Sequence, residues 1–131
     1  MTNEQREALL RAAAEARRAA YAPYSGYTVG AALLAEDGRV FTGCNVENAS
    51  FSPTICAERV AVGTAVAAGS RRFLAIAIVG GHGDESPCPP CGVCRQVLSE
   101  FSDGTLEVIF RERGGIRALP LSDLLPCGFS L

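Results

Sequence analysis

The chain has 131 residues, of which 48% are hydrophobic, enough to build the core of one domain. Lys and Arg number 12 and Asp and Glu 14, and no basic run is present, so we expect no binding to nucleic acid. The longest apolar stretch, residues 73–81, is far shorter than the roughly 20 residues of a membrane-spanning helix. The N-terminal residues 1–18 are charged and lack the apolar centre of a signal peptide. We therefore expect residues 1–131 to form a single soluble, cytoplasmic domain.

The hydrophobic pattern predicts three helices and five strands. Alanine-rich residues 3–20 favour a helix that begins at a capping box of Thr2 and Gln5. Residues 27–46 favour two strands joined by an Asp-Gly turn. The later predicted elements are a helix at 53–70, a strand at 72–81, a helix at 92–101, and strands at 105–113 and 115–121. This order predicts an α/β fold in which helices cover a mixed, partly parallel sheet.

Six cysteines occur in a chain for which we expect a reducing compartment, so metal binding or catalysis is favoured over disulfides. Three of them, Cys88, Cys91 and Cys94, form two overlapping C-x-x-C pairs that share Cys91. Such a pair can be a redox couple, half of a structural zinc site, or part of a catalytic metal centre.

The sequence between these cysteines separates the two pairs. A Pro-Pro dipeptide after Cys88 favours an extended backbone, which places the Cα atoms of Cys88 and Cys91 roughly 9 Å apart. Two ligands of one zinc ion must come closer, because each sulfur lies about 2.3 Å from the metal. Gly92 allows a tight turn between Cys91 and Cys94, so these two are the expected ligands and Cys88 is not.

A third ligand is expected at Cys56, at the start of the helix predicted for residues 53–70. That helix and the helix carrying Cys91 and Cys94 are both expected beside the strand at 72–81, with their N-termini close together. Helix N-termini carry partial positive charge, which stabilises thiolates.

No fourth protein ligand is predicted. His82 is the one histidine, and a lone histidine in a glycine-rich loop is usually solvated. Three protein ligands with the fourth position left to water is the pattern of a catalytic zinc ion. Glu58 follows Cys56 by two residues and is suited to moving a proton of that water. An acidic residue also favours the positive end of a helix for structural reasons alone.

These residues resemble the signature of the zinc-dependent deaminases, which pairs a ligand-x-Glu motif with a downstream P-C-x-x-C. The wider sequence resembles the cytidine deaminase family, specifically its small homotetrameric nucleoside deaminases. The matching stretches, in the family's order, are YSGYTVGAAL (24–33), GCNVENAS (43–50), CAER (56–59), PCGVCRQVL (90–98) and LLPCGF (124–129). The resemblance implies a three-layer α-β-α fold with a mixed five-stranded sheet.

The resemblance implies zinc-dependent hydrolysis of cytidine and deoxycytidine to uridine and deoxyuridine plus ammonia, as in pyrimidine salvage. It implies one Zn²⁺ per subunit and a homotetramer whose active sites are shared between subunits. The implied zinc ligands are Cys56, Cys91 and Cys94. Glu58 would be the proton shuttle, and Arg59 would draw charge from the thiolates, with Arg95 as a second candidate for that role.

The resemblance also implies four substrate-binding residues. Asn45 and Glu47 would hydrogen-bond the ribose, and Tyr27, where the family commonly has Phe, would pack beside the sugar and base. Phe129 would stack on the base bound by a neighbouring subunit, in a segment where the family's commoner LLPGAF is LLPCGF. Without the resemblance, each of these residues also suits an ordinary loop, core or chain-end position.

Three other functions stay open on the sequence. A structural zinc module would use a closed four-cysteine site that includes Cys88. A thiol redox protein would use Cys91 and Cys94, and it would leave the Cys-Ala-Glu motif unexplained. A deaminase of the blasticidin type would share the zinc and glutamate motifs, although NVENAS favours a plain ribose.

Overall fold

A computed structural model describes all residues from 1 to 131. Its elements are α1 (Asn3–Arg17), β1 (Thr28–Ala35), β2 (Val40–Cys44), α2 (Ala57–Ala67), β3 (Phe73–Gly81), α3 (Gly92–Glu100), β4 (Glu107–Glu112), β5 (Gly115–Pro120) and α4 (Leu121–Leu124). The order agrees with the sequence prediction, apart from the short additional helix α4. None of these helices has the length and hydrophobicity needed to cross a membrane.

The five strands form one mixed sheet in the order β2-β1-β3-β4-β5. Only the β3–β4 pair is parallel, and the other three pairs are antiparallel. The central strand β3 is buried on both faces: Ile76 and Ile78 contact one layer of the core, whereas Ala75, Ala77 and Val79 contact the other. Burial on both faces therefore explains the continuous apolar run of this strand.

Helices cover both faces of the sheet. On one face, Leu9, Leu10 and Ala13 of α1 pack against small residues of β1 and β3. On the other face, the apolar sides of α2 and α3 share one buried cluster with the sheet. This arrangement confirms the predicted three-layer α-β-α fold.

Both helices that carry the predicted zinc ligands begin at the same edge of the sheet. Strands β2 and β3 are each antiparallel to β1, so they run in the same direction and end at the same edge. Helix α2 follows β2 and helix α3 follows β3. Strand β1 lies between β2 and β3, so the connection from β2 to β3 passes over β1. Helix α2, which forms this connection, lies mainly over β1 and β2. The prediction that it lies beside β3 is therefore wrong.

Helix α2 begins at Ala57, four residues after the predicted start at residue 53. The preceding segment is held in an extended conformation, because Ile55 and Val46 exchange backbone hydrogen bonds of 2.9 and 3.0 Å. Cys56 therefore occupies the N-cap position and does not lie within the first turn of the helix. Helix α1 begins at the predicted capping box, but it ends at Arg17.

Gly43 of β2 lets α2 lie directly on the sheet. A Cβ atom at this position would stand 2.5 Å from both the carbonyl oxygen of Ala57 and the backbone nitrogen of Ala61. Those two atoms belong to the first turns of α2, which also carry Glu58. The position of this part of the helix thus depends on a strand residue without a side chain.

We expect Gly43→Ala to lower the free energy of unfolding by about 1–3 kcal/mol, because the added methyl group overpacks the contact with α2. Urea denaturation measures this change. Gly63→Ala is the matched control, since a Cβ atom there meets nothing within 4 Å. Alanine is also favoured over glycine inside a helix, so the control should gain roughly 0.5–1 kcal/mol. Equal stability of Gly43→Ala and the parent would contradict the expectation.

Candidate active site

The structure brings the sulfur atoms of Cys56, Cys91 and Cys94 together, all within 4.8 Å of one another. The Sγ atoms of Cys56 and Cys91 are 3.9 Å apart, and those of Cys91 and Cys94 are 3.5 Å apart. Thiolates that each lie about 2.3 Å from a tetrahedral zinc ion are separated by about 3.8 Å. These two separations are close to that value, so the three sulfurs fit the ligand set of a zinc ion.

The N-terminal ends of two helices position these sulfurs. Cys56 is the N-cap of α2, Cys91 is the N-cap of α3, and Cys94 is buried in the first turn of α3. Neither N-cap sulfur makes a capping hydrogen bond with a backbone N–H of its helix. Both sulfurs are thus free to face the metal site, which lies at the positive ends of the two helices.

The ionisation of Cys56 favours the binding of a cation at this cluster. A hydrogen bond from the Cys94 thiol, followed by one from Arg59, lowers the pKa of Cys56 to about 5. The same hydrogen bond with Cys56 raises the pKa of Cys94, so Cys94 keeps its proton. A cation that binds the three sulfurs would displace that proton, as zinc binding to thiols does.

The guanidinium of Arg59 lies beside this cluster, with Nη2 3.6 Å from the sulfur of Cys56 and 3.3 Å from the carbonyl of Thr54. Its position agrees with the predicted role of drawing charge from a thiolate. Arg95 behaves differently, because it donates to the carbonyls of Pro90 (2.7 Å) and Leu124 (2.9 Å). The prediction of a second thiolate partner is therefore wrong for Arg95.

Neither Cys88 nor His82 joins the three sulfurs. Cys88 is half-buried, and a Cβ atom added to Gly80 would stand 2.8 Å from its sulfur. Burial raises the pKa of the Cys88 thiol, which disfavours the thiolate that a metal requires. His82 packs its ring edge-on against Tyr27, with ring centroids 4.9 Å apart. The closed four-cysteine site consequently has no support in this geometry.

Glu58 is 5% exposed and lies in the first turn of α2 beside the sulfurs. Burial raises its pKa to about 7, and the neighbouring Cys56 thiolate adds to the increase. A carboxyl group that titrates near neutrality can both accept and return a proton at physiological pH. An acid that only favours the positive end of a helix does not require such deep burial.

A cavity of about 360 Å³ opens directly in front of this group. Its lining combines the metal-site residues with the predicted substrate-binding residues of the same chain. The lining residues include Tyr27, Asn45, Glu47, Cys56, Glu58, Cys88 and Cys91. A larger cavity, of about 510 Å³, lies beside the start of α1 and contains no cluster of metal-ligating or nucleophilic groups.

Asn45 is 8% exposed and connects the two strands at the edge of the cavity. Its Oδ1 accepts from the backbone N–H of Val29, and its Nδ2 donates to the carbonyl of Tyr27, both at 2.8 Å. One amide hydrogen is left for a ligand, since the amide carries two. Asn45 is therefore a structural link as well as a candidate donor, a double role that the sequence does not suggest.

Glu47 is held as an anion by the segment that precedes β1. Its carboxylate accepts hydrogen bonds from the backbone N–H groups of Tyr24 (2.9 Å) and Ser25 (3.2 Å) and from the Ser25 hydroxyl. The Ser25 hydroxyl is the largest cause of the lowered pKa of Glu47. Sequence reasoning misses Ser25, because its partner lies 22 positions away and neither residue belongs to a local motif.

Phe129 does not line the cavity of its own chain. Its side chain is 69% exposed, near the end of a segment that follows α4. The structure thus groups seven of the eight predicted catalytic, metal and substrate residues around one site and leaves Phe129 outside it.

Comparisons with known proteins identify the family. The model for the "Cytidine and deoxycytidylate deaminase zinc-binding region" matches residues 3–110. The chain belongs to this family. The matched range includes the three cysteines and Glu58, and Phe129 lies beyond it. The chain is a zinc-dependent hydrolytic deaminase, and zinc is its cofactor.

Individual relatives cover nearly the whole chain. A cytidine deaminase of Sporosarcina psychrophila is 47% identical over 125 residues, which are 95% of this chain and 90% of that protein. One of Mycobacterium tuberculosis is 48% identical over 119 residues, or 91% and 85% of the two chains. The crystal structure of a cytidine deaminase from Burkholderia pseudomallei superposes with a TM-score of 0.86 at 50% identity, covering 98% of this chain and all of the other.

Proposed function

We propose that residues 1–131 act as one deaminase domain that converts cytidine and deoxycytidine to uridine and deoxyuridine, with release of ammonia. The observation that carries the proposal is the burial of Glu58 between three convergent cysteine sulfurs and a cavity of nucleoside size. We further propose that the protein is cytoplasmic and serves pyrimidine salvage.

The proton transfers are assigned to Glu58. Zinc, when bound, activates water as a nucleophile near neutral pH. Glu58 accepts the proton that this water loses and delivers it to the ring nitrogen N3 of the pyrimidine, which makes the amine-bearing carbon more electrophilic. Once the water oxygen is bonded to that carbon, Glu58 takes its second proton and passes it to the amine, so that the C–N bond breaks, ammonia leaves and the ring carbonyl forms. Its pKa of about 7 suits both directions of transfer.

The surrounding residues moderate the charge of the zinc site. Three thiolates and one Zn²⁺ ion have a net charge of −1, which would weaken the polarisation of water. Arg59 and the N-termini of α2 and α3 oppose this charge. The protein thereby keeps three strong ligands while preserving the acidity of the metal.

The ribose is assigned to the other end of the cavity. The Glu47 carboxylate, kept ionised by Ser25, can accept a hydrogen bond from a ribose hydroxyl. The remaining amide hydrogen of Asn45 can donate to the same sugar. Tyr27 forms the adjoining wall, and burial raises the pKa of its hydroxyl, which keeps it a neutral donor.

We also propose a homotetramer in which Phe129 of one subunit covers the cavity of another. Apolar side chains are exposed near the cavity mouth, where Tyr24 and Phe51 form an edge-on pair with ring centroids 6.3 Å apart. Large apolar groups clustered at a surface mark interaction sites. Light scattering after size exclusion would test the assembly, and a monomeric active enzyme would contradict it.

An ammonia-release assay with cytidine, deoxycytidine, cytosine, CMP and blasticidin S tests the substrate class. We expect turnover of both nucleosides by the zinc-loaded protein. Cytosine lacks the ribose that Asn45 and Glu47 would bind, and no Lys, Arg or His lines the cavity to neutralise the phosphate of CMP. Both should therefore react poorly. The absence of ammonia release from either nucleoside would overturn the proposal, and preference for blasticidin S would favour the related deaminase.

A further inference from the structure

One side chain of the zinc-binding helix, that of Gln96, makes hydrogen bonds with the C-terminal residues 126–131. Gln96 of α3 donates from Nε2 to the carbonyl of Phe129 (2.9 Å) and accepts at Oε1 from the Phe129 backbone N–H (3.2 Å). No backbone–backbone hydrogen bond joins residues 126–131 to the rest of the chain. The two bonds from Gln96 are thus the hydrogen bonds that fix this segment.

These bonds act on the backbone of Phe129 and leave its ring free. The side chain is 69% exposed, so packing within its own chain does not determine where the ring lies. A side-chain amide that bonds to both the N–H and the carbonyl of one residue defines the position and direction of that residue's backbone. The ring of Phe129 is therefore exposed, while the backbone that carries it is held in place.

Gln96 lies on the helix that carries two of the zinc ligands. Gln96 follows the zinc ligand Cys94 by two residues on α3. The neighbouring Arg95 connects the carbonyl of Pro90, directly before Cys91, to the carbonyl of Leu124 in α4. Two consecutive side chains thus tie the end of the chain to the helix that begins at the zinc site.

We propose that Gln96 is a positioning residue for Phe129: by fixing its backbone to the zinc-binding helix, it sets where the aromatic ring meets the base of a substrate. This inference rests on the proposed assembly, in which that substrate is bound by a neighbouring subunit. Gln96 touches neither zinc nor substrate, and it acts through Phe129 alone.

Gln96→Ala tests the proposal in the zinc-loaded enzyme. We expect the KM for cytidine to rise about tenfold with kcat within about twofold, because base stacking contributes to binding more than to the proton transfers. Amide hydrogen exchange at Phe129, whose N–H is bonded to Gln96, should become faster, and the zinc content should stay at that of the parent. Glu100→Ala, on an exposed position of the same helix, is the matched control and should change none of these quantities.

A double-mutant cycle with Phe129→Ala separates positioning from a general effect on α3. Phe129→Ala should raise KM, and adding Gln96→Ala in that background should raise it by less than about twofold, because the ring to be positioned is absent. Independent, multiplicative effects would overturn the inference, as would Gln96→Ala with unchanged KM or unchanged hydrogen exchange. In each of those cases an active parent enzyme would leave the proposed deamination intact. An inactive parent would instead refute the proposed function.

Discussion

Glu58→Gln is expected to retain zinc and lose nearly all turnover, with kcat lowered by about 10²- to 10⁴-fold, the usual contribution of general acid–base catalysis. The amide of glutamine has the size of a carboxyl group but cannot take up a proton from water or return it to the departing amine. Both proton transfers assigned to Glu58 would therefore fail together.

The substitution is well suited to separate catalysis from folding. The pKa of Glu58 is about 7, so the folded protein already accommodates an uncharged carboxyl group at this buried position. Glutamine is uncharged and of similar shape, so the fold should persist. Steady-state kinetics with cytidine and elemental analysis of zinc provide the two measurements. Glu100→Gln, with the same chemical change at an exposed position, controls for nonspecific effects.

Two outcomes would contradict this role. Substantial residual activity of Glu58→Gln would mean that another group moves the protons. Loss of zinc with an intact fold would mean that Glu58 acts on the metal site. Retained zinc with little turnover is what the proposed proton shuttle requires.

The features that were predicted correctly depend on local sequence. The Pro-Pro dipeptide after Cys88 and the glycine after Cys91 act within a few residues, so they indicate which C-x-x-C pair can converge. The buried strand β3 is likewise recognisable as a continuous apolar run. The meeting of Cys56 with Cys91, 35 positions apart, needs the topology as well, since it depends on β2 and β3 running in the same direction.

The features that were missed or wrong depend on contacts between distant segments. Helix α2 starts later than predicted because Ile55 pairs with Val46. Helix propensity depends on local sequence and does not include this interaction. Arg95 carries the charge expected of a thiolate partner, yet its fixed geometry directs it to two carbonyl groups. Gln96 has no distinguishing feature in the sequence, because its partner is a backbone group near the chain end.

Cys91→Ser is expected to weaken zinc binding by at least about 100-fold, whereas Cys88→Ser should leave the zinc content unchanged. Removal of a direct ligand must cost at least as much as the 10–100-fold commonly lost when only an outer partner of a metal site is changed. Elemental analysis after dialysis against a chelator measures both variants. Activity of the parent should also disappear on chelation and return with added zinc, which would not occur in a thiol redox protein.

The positions of the ligands allow metal loss to be distinguished from unfolding. Cys56 and Cys91 are N-cap residues whose side chains make no capping hydrogen bond. Serine is among the preferred N-cap residues, so replacing either cysteine by serine removes a thiolate while favouring the helix start. Cys94 is less suitable, because it is buried and a hydroxyl group there would lie in the core.

The comparison between Cys91→Ser and Cys88→Ser therefore separates the two kinds of zinc site. A closed structural site would require Cys88 as its fourth ligand, and Cys88→Ser would then lose zinc together with stability. An open three-thiolate site predicts full zinc content for Cys88→Ser and a folded, zinc-poor Cys91→Ser, as judged by circular dichroism. Zinc retained by Cys91→Ser would contradict the three-thiolate site itself, since no other cysteine or histidine has a ligand atom within 4.8 Å of both remaining sulfurs.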